Sequence, residues 1–182
     1  HSLLRQFGPE NWTLYKGKHL LSFVDNHDVT RVASILSNER HLPLIYALLF
    51  GMPGIPCVYY GSEWGAKADK SQGDPALRPA FDAPEWNELT EWISRLAEIK
   101  KNSEALNYGA FRSVLLTNRQ CIFERCSANE RVLVAINADE NDFAAHFDAG
   151  CGRAMELLTG EEHDFGQGTV LKGYSAAFWK CM

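Results

Sequence analysis

The feature that most constrains this chain is a short apolar run, Leu20–Val24, which breaks abruptly into the polar residues Asp25, Asn26, His27 and Asp28. Such an unbroken apolar run predicts a strand that is buried on both faces, as in a parallel sheet. In parallel α/β folds, the loops that follow the carboxyl ends of strands carry the chemistry. Two carboxylates, an imidazole and an amide are costly to bury unless they are paired. The cluster is therefore either a functional site or a well-paired anchor for a loop.

The net charge and the hydropathy pattern argue against two classes of partner, nucleic acids and membranes. The chain has 182 residues, of which 46% are hydrophobic, and its net charge is −5. The basic residues form no long run, so we expect no nucleic-acid partner. No apolar stretch reaches the roughly 18 residues that a helix needs to cross a bilayer, so we expect no membrane partner. The first residue is His1 rather than Met, so the lack of a leader-like segment says little about targeting.

Cysteine usage bears on location and on metal binding. The five cysteines are Cys57, Cys121, Cys126, Cys151 and Cys181. An odd and scattered set suits reduced thiols, which are typical of a cytoplasmic protein. Cys121 and Cys126 have no second Cys or His pair that would complete the four ligands of a structural zinc site. We therefore predict a cytoplasmic location, with neither a metal ion nor another cofactor.

The residues after the polar cluster predict a strand, a helix and a second strand. A helix fits Glu39–Phe50, with an apolar face, and Gly51 is expected to terminate it as the C′ glycine. A second apolar strand fits Ile55–Tyr60. A strand, helix and strand in succession predict a parallel pair joined by a right-handed crossover. The next segment, Gly61–Ala83, is long and aperiodic, and such loops usually have a function or line a site.

The second half of the chain has a different pattern. A helix fits Pro84–Lys101, with Asp82 as its cap, because apolar residues recur there at helical spacing. Short segments rich in β-branched and aromatic residues then alternate with turn residues, which is typical of an antiparallel sandwich. The expected strands are Gly109–Leu116, Cys121–Cys126, Arg131–Asn137, Phe143–Phe147, Ala154–Leu158, Thr169–Leu171 and Ser175–Trp179. The chain is thus expected to divide into domains at 1–105 and 106–182.

Three segments of the chain resemble one known family. Phe23–Asp28 resembles the end of the seventh barrel strand in the α-amylase superfamily of glycoside hydrolases, and Gly51–Glu63 resembles the segment around its eighth strand. Asp74–Pro79 is similar to the following loop in the maltodextrin-acting members, of the cyclomaltodextrinase and neopullulanase type. The resemblance implies an α/β plus all-β fold. It would consist of a partial (β/α)8 barrel, about strands 7 and 8 with their helices, followed by an antiparallel β-sandwich.

The resemblance also assigns roles to residues of the motif. It implies that Asp28 is the catalytic carboxylate that stabilises the transition state, and that His27 and Asn26 bind the same sugar. Arg78 and Asp74 are candidates for more distant substrate contacts, and the alternative for these two residues is an ion pair within the loop. Two further residues are given lesser roles: Glu63 is expected to support the site, and Arg31, which lies beyond the motif, is expected to pair locally.

The chemistry that the family performs needs groups that these segments do not supply. Retaining hydrolysis uses a carboxylate nucleophile and a carboxylic acid about 5–5.5 Å apart. In the family these groups come from strands four and five, for which this chain has no counterpart. We therefore expect the chain to be part of a retaining hydrolase of α-glucosidic bonds in starch-derived oligosaccharides, and to be inactive alone. The expected partners are an α-glucan oligosaccharide and either the missing part of the barrel or another copy of the chain.

Three alternatives start from the same residues. One is a non-catalytic module for carbohydrate binding or assembly. Another is a metal-dependent hydrolase with Asp25, His27 and Asp28 as ligands at a strand end. A Ser-His-Asp hydrolase that uses His27 is set aside, because the chain has no Gly-x-Ser-x-Gly elbow.

Overall fold

A computed structural model describes residues 2–9 and 13–182 of the chain. Within these residues it contains six α-helices and ten β-strands. The helices are α1 (Ser2–Phe7), α2 (Val32–Ile35), α3 (Leu42–Gly51), α4 (Asp74–Leu77), α5 (Glu88–Lys101) and α6 (Glu104–Tyr108). The strands are β1 (Leu21–Phe23), β2 (Ile55–Cys57), β3 (Ala110–Leu116), β4 (Gln120–Cys126), β5 (Arg131–Asn137), β6 (Phe143–Ala145), β7 (Arg153–Glu156), β8 (Glu162–Asp164), β9 (Thr169–Leu171) and β10 (Ser175–Cys181). No helix of the described part is long and apolar enough to cross a membrane.

Strands β1 and β2 form the predicted parallel pair, and α3 lies between them in the chain. Leu21 pairs with Ile55 and Phe23 pairs with Cys57. Both strands are shorter than predicted, and within the described residues they are not covered on both faces. Leu21 is 60% exposed and Phe23 is 48% exposed. The reason is that no third strand in the described residues pairs with either of them, so their apolar side chains have no covering layer.

Helix α3 packs closely against the antiparallel sheet through a glycine. Gly51 was predicted to follow this helix but is its last residue, and Met52 is the C-cap. A Cβ atom at Gly51 would lie 3.0 Å from side-chain atoms of both Phe123 and Val134. A larger residue would have to displace these two side chains, so glycine suits the close approach of helix and sheet.

Helix α5 begins later than predicted. Asn87 is its N-cap, because the Asn87 side chain accepts a hydrogen bond from the backbone N–H of Thr90 at 3.1 Å. In turn, the Thr90 hydroxyl accepts a hydrogen bond from the backbone N–H of Asn87. Asp82, the predicted cap, lies before the helix. Trp86 is 71% exposed and thus belongs to the preceding loop rather than to the core. The reciprocal capping pair, rather than the proline-bearing segment, sets the helix start.

The antiparallel sheet predicted for the second half of the chain is confirmed. Six strands form one sheet in the order β3-β4-β5-β10-β7-β8, and β6 and β9 form a separate pair. Strand β8 was missed by the sequence patterns, because Glu162–Asp164 is short and polar. One face of the six-stranded sheet packs against α3, α5 and α6, whereas the other packs against residues of the β6–β9 side. The described residues contain no closed barrel.

Two buried cations join the helices to the sheet. The ammonium group of Lys100 donates to the backbone carbonyls of Phe50, Met52 and Leu106 at 2.9–3.2 Å. The guanidinium of Arg125 donates to three carbonyls of the same region, with one at Gly51 and another at Leu106. These contacts, like the apolar core, cross the predicted boundary at 105/106. The division into two domains stays a prediction.

The buried lysine predicts a pH dependence of stability. Burial, together with the positive charge of Arg125, lowers the pKa of Lys100 to about 7. A lysine in an unfolded chain titrates near ~10.4, so between the two values the unfolded chain binds more protons. The free energy of unfolding should then rise with pH in this window, by at most about 1.4 kcal/mol per pH unit from this group.

Urea unfolding between pH 6 and pH 10 tests this dependence. Lys100→Met should remove the rise that Lys100 contributes, whereas Lys101→Met, at an exposed neighbour, should keep it. Equal slopes for the parent chain and Lys100→Met would contradict the assignment.

Candidate functional site

The polar residues at the end of β1 form two layers, and the inner layer begins with Asp25. This carboxylate is buried. One of its oxygens accepts a hydrogen bond from the backbone N–H of Val32 at 2.8 Å, and both contact the Ser62 hydroxyl at 2.8 and 3.0 Å. Asp25 thus holds the start of α2 and the turn after β2 together. It is the loop anchor that the sequence left as one of two possibilities.

Arg31 completes the inner layer. Its side chain is fully buried and donates to the Tyr60 carbonyl at 2.7 Å and to the Ser62 hydroxyl at 2.8 Å. Its other terminal nitrogen donates to the Leu77 carbonyl at 3.1 Å, and the guanidinium lies 4.2 Å from the centre of the Tyr59 ring. The expectation that Arg31 pairs only locally is wrong, because its partners lie 29 to 46 positions away.

The outer layer contains the five residues to which the resemblance assigned substrate contacts. His27 Nε2 lies 3.2 Å from one oxygen of Asp28, and Arg78 Nη2 lies 3.4 Å from the other. Arg78 also pairs with Asp74 at 3.1 Å. The side-chain oxygen of Asn26 accepts the backbone N–H of Asp28 at 2.8 Å. The fold therefore brings all five together, although Asn26 and Arg78 lie 52 positions apart.

The two layers differ in how firmly their charges are held. Asp25 and Arg31 are buried, so removal of either partner would strand a desolvated charge. The side chain of Asp28 is 62% exposed, and ion pairs at such positions contribute only about 0–1 kcal/mol. A ligand that offers hydroxyl groups can therefore replace the His27 and Arg78 contacts of Asp28 at little cost. The outer layer has the properties of a binding surface, and the inner layer those of its support.

The structure offers no ligand set for a metal in this region. Asp25 is occupied by Val32 and Ser62, whereas His27 and Asp28 are exposed in the layer above. Within the described ranges, no three Asp, Glu, His or Cys side chains are grouped so that they could hold a metal ion. The interpretation as a metal-dependent hydrolase thus receives no support from the geometry.

Sequence reasoning missed the residues that build the support. Ser62 lies in the segment that resembles the eighth strand, but its contacts to Asp25 and Arg31 join positions 31 and 37 residues apart. No periodicity reveals such pairs. The available signal was a carboxylate, Asp25, predicted at a buried strand end, since such a group requires a partner.

Comparison with known proteins identifies the family. A family model for the alpha amylase catalytic domain matches residues 9–118. The chain belongs to the alpha-amylase family. The resemblance of Phe23–Asp28 and Gly51–Glu63 to that family is thereby confirmed, and the matched range contains all the residues of both layers.

Individual relatives agree with this family. A cyclomaltodextrin glucanotransferase from Bacillus sp. (strain 38-2) is 30% identical over 66% of this chain and 17% of its own length. An alpha-amylase from Niallia circulans is 32% identical over 68% of this chain and 23% of its own length. The crystal structure of an Anoxybacillus alpha-amylase superposes with a TM-score of 0.80 at 24% identity, over 90% of this chain and 38% of that one. The chain thus spans about a fifth of the length of these curated relatives.

The inner layer predicts a difference between two serines. Ser62→Ala removes a partner from the buried Asp25 and from Arg31, so we expect a loss of roughly 1–3 kcal/mol in the free energy of unfolding. Ser71→Ala removes a comparable hydroxyl contact, to Asp69, at an exposed position and should change it by less than about 0.5 kcal/mol. Urea unfolding of the two variants provides the measurement. Equal effects would show that the inner layer contributes little to stability.

Proposed function

We propose that this chain is part of a retaining glycoside hydrolase that acts on α-glucosidic bonds of starch-derived oligosaccharides. The family supports a glycosidase, and the relatives named as alpha-amylase and cyclomaltodextrin glucanotransferase favour this substrate class. In this proposal, β1 and β2 correspond to strands 7 and 8 of the (β/α)8 barrel. The observation that carries the proposal is the exposed Asp28 carboxylate, flanked by His27 and Arg78 above a buried support.

Asp28 has the chemistry that a transition-state-stabilising residue needs. An ionised carboxylate forms charge-assisted hydrogen bonds with neighbouring sugar hydroxyls. Bonds that strengthen as the ring flattens toward the oxocarbenium-like transition state accelerate the reaction, whereas equally strong ground-state bonds do not. Within this proposal, His27 donates to the same sugar. The buried Asp25–Ser62–Arg31 contacts keep the loop in place while those bonds form.

The roles proposed for Asn26, Arg78 and Asp74 follow from the contacts that each side chain already makes and from the polar groups that remain unoccupied. The side-chain oxygen of Asn26 is occupied by the Asp28 N–H, so its amide NH2 is the group left for substrate. Arg78 bridges Asp28 and Asp74 and would hold the Asp28 carboxylate in orientation until a sugar arrives. Asp74 is exposed and would accept hydroxyls of a more distant sugar unit.

A substitution at Asp28 tests the substrate contact. Asp28→Asn keeps the shape of the side chain and removes its charge. Charge-assisted bonds contribute about 1.5–3 kcal/mol each, so maltooligosaccharide should bind roughly 10- to 100-fold more weakly in a calorimetric titration. Glu140→Gln, which removes an exposed carboxylate from a turn of the antiparallel half, is the matched control and should bind like the parent chain.

Unchanged binding by Asp28→Asn would contradict the assignment. It would favour a non-catalytic carbohydrate-binding or assembly module, in which the sugar contacts another part of the chain. One observation already points to assembly: Leu21, Phe23 and Ile55 of the parallel pair are exposed large apolar side chains. We propose that they are covered by the preceding part of the barrel or by another copy of the chain.

The behaviour of the isolated chain follows from the same proposal. Without the carboxylates of strands four and five, a chain of these 182 residues should release no reducing sugar from maltooligosaccharides. Its uncovered β1–β2 pair should make it associate, which light scattering measures. Steady turnover would overturn the assignment of the nucleophile and acid to absent strands, and a monodisperse monomer would overturn the assignment of the apolar surface.

The proposed location is cytoplasmic, as the unpaired cysteines predict, and fractionation of cells would test it.

A further inference from the structure

Two cysteines far from the candidate site lie in direct contact. The Sγ atoms of Cys151 and Cys181 lie 2.7 Å apart, and 30 positions separate the two residues in the sequence. Both side chains are partly buried and both are free thiols. Among the described cysteines no other pair is in hydrogen-bonding contact. Neither residue was assigned a role by the sequence patterns or by the resemblance.

The fold holds each of the two sulfurs in place from a different element. Cys181 is the last residue of β10 and pairs with Ala154 of β7. Cys151 lies in the loop before β7, between Gly150, with φ +61°, and Gly152, whose side-chain position is open. The cysteine in the glycine-flanked loop can therefore adjust to the one that is fixed in the sheet.

A partly buried arginine connects the loop to the strand. Arg131 donates to Cys181 Sγ at 3.4 Å and to the Ala149 carbonyl, and it also pairs with Glu124. The guanidinium thus holds the loop beside the end of β10. Because these contacts come from β4, β5 and the loop, the sulfur contact is part of a network rather than an isolated approach of two exposed side chains.

We propose that Cys151 and Cys181 are a modification site, a thiol pair that is converted into a disulfide by low-molecular-weight disulfides. In the first step one cysteine thiolate attacks the small disulfide, which yields a mixed disulfide and one small thiol. In the second step the neighbouring cysteine thiolate attacks the mixed disulfide, which yields the Cys151–Cys181 bond and a second small thiol. The two cysteines lose two electrons and two protons, and the small disulfide gains them.

Proximity, rather than intrinsic reactivity, selects this pair. Burial raises the pKa of Cys181 to about 12; the contact with the Cys151 sulfur and the charge of Glu124 act in the same direction, whereas the charge of Arg131 opposes them. Burial also raises the pKa of Cys121 to about 11, and that thiol has no sulfur neighbour within the described residues. A mixed disulfide on Cys151 or Cys181 would be resolved by the adjacent thiol, whereas one on Cys121 would persist.

The bond would close the loop over one of the two cores. Both cysteines pack on the apolar cluster that includes Ala149, Ala154 and Trp179. A disulfide across such a loop constrains the unfolded chain, and the resulting increase in the thermal midpoint for a protein of this size is roughly 5–15 °C. Reduction would return the midpoint to its original value.

Oxidised glutathione provides the test. After incubation at mildly alkaline pH, peptide mapping without reductant should show the Cys151 and Cys181 peptides linked, and the thermal midpoint should rise as above. Cys151→Ser and Cys181→Ser should each abolish the link and the rise. Cys121→Ser should retain both, and equal circular dichroism spectra of the reduced forms would show that the variants fold alike.

Two results would overturn the proposal. One is stable glutathione adducts on Cys151 and Cys181 without a link between them. The other is a link that forms with Cys57, Cys121 or Cys126 instead.

Discussion

The contact on which the candidate site depends is the buried group of Asp25, Ser62 and Arg31. A carboxylate and a guanidinium that are both removed from water persist only if their hydrogen-bonding groups are paired. Here the Ser62 hydroxyl lies between them, with backbone partners at Val32, Tyr60 and Leu77. These partners come from the start of α2, from the turn after β2 and from the end of α4. One small ionic cluster thus organises three segments that are distant in the sequence.

This arrangement separates positioning from binding. The charges that define the loop geometry are buried, and both terminal nitrogens of Arg31 and both oxygens of Asp25 are hydrogen-bonded, whereas the charges that would meet a substrate are exposed and weakly paired. A binding surface must exchange its own contacts for those of the ligand, and strong internal pairs would oppose that exchange. The polar cluster at the end of β1 is therefore both things that its sequence allowed: an anchor through Asp25, and a candidate site through Asp28.

The features of the fold that the sequence predicts correctly depend on short-range patterns. Arg131–Asn137 was predicted with its observed bounds, because an alternation of β-branched residues between turns determines a central strand. The role of Arg31, by contrast, depends on partners that only the tertiary fold brings near. An apolar run such as Leu20–Val24 shows what a strand needs to bury and not whether a covering layer is present, and Phe23 is exposed for this reason. The start of α5 was predicted wrongly because the capping contacts between Asn87 and Thr90, rather than the local composition, determine it.

The close packing of Gly51 has a consequence for the site that lies beyond it. Helix α3 packs so closely on the antiparallel sheet that a methyl group at Gly51 would displace the side chains of Phe123 and Val134, so the sheet limits how far that helix can shift. The chain enters β2 only four residues later and then reaches Tyr60 and Ser62. The sheet contributes no residue to the polar cluster, yet through α3 and β2 it determines where that cluster lies.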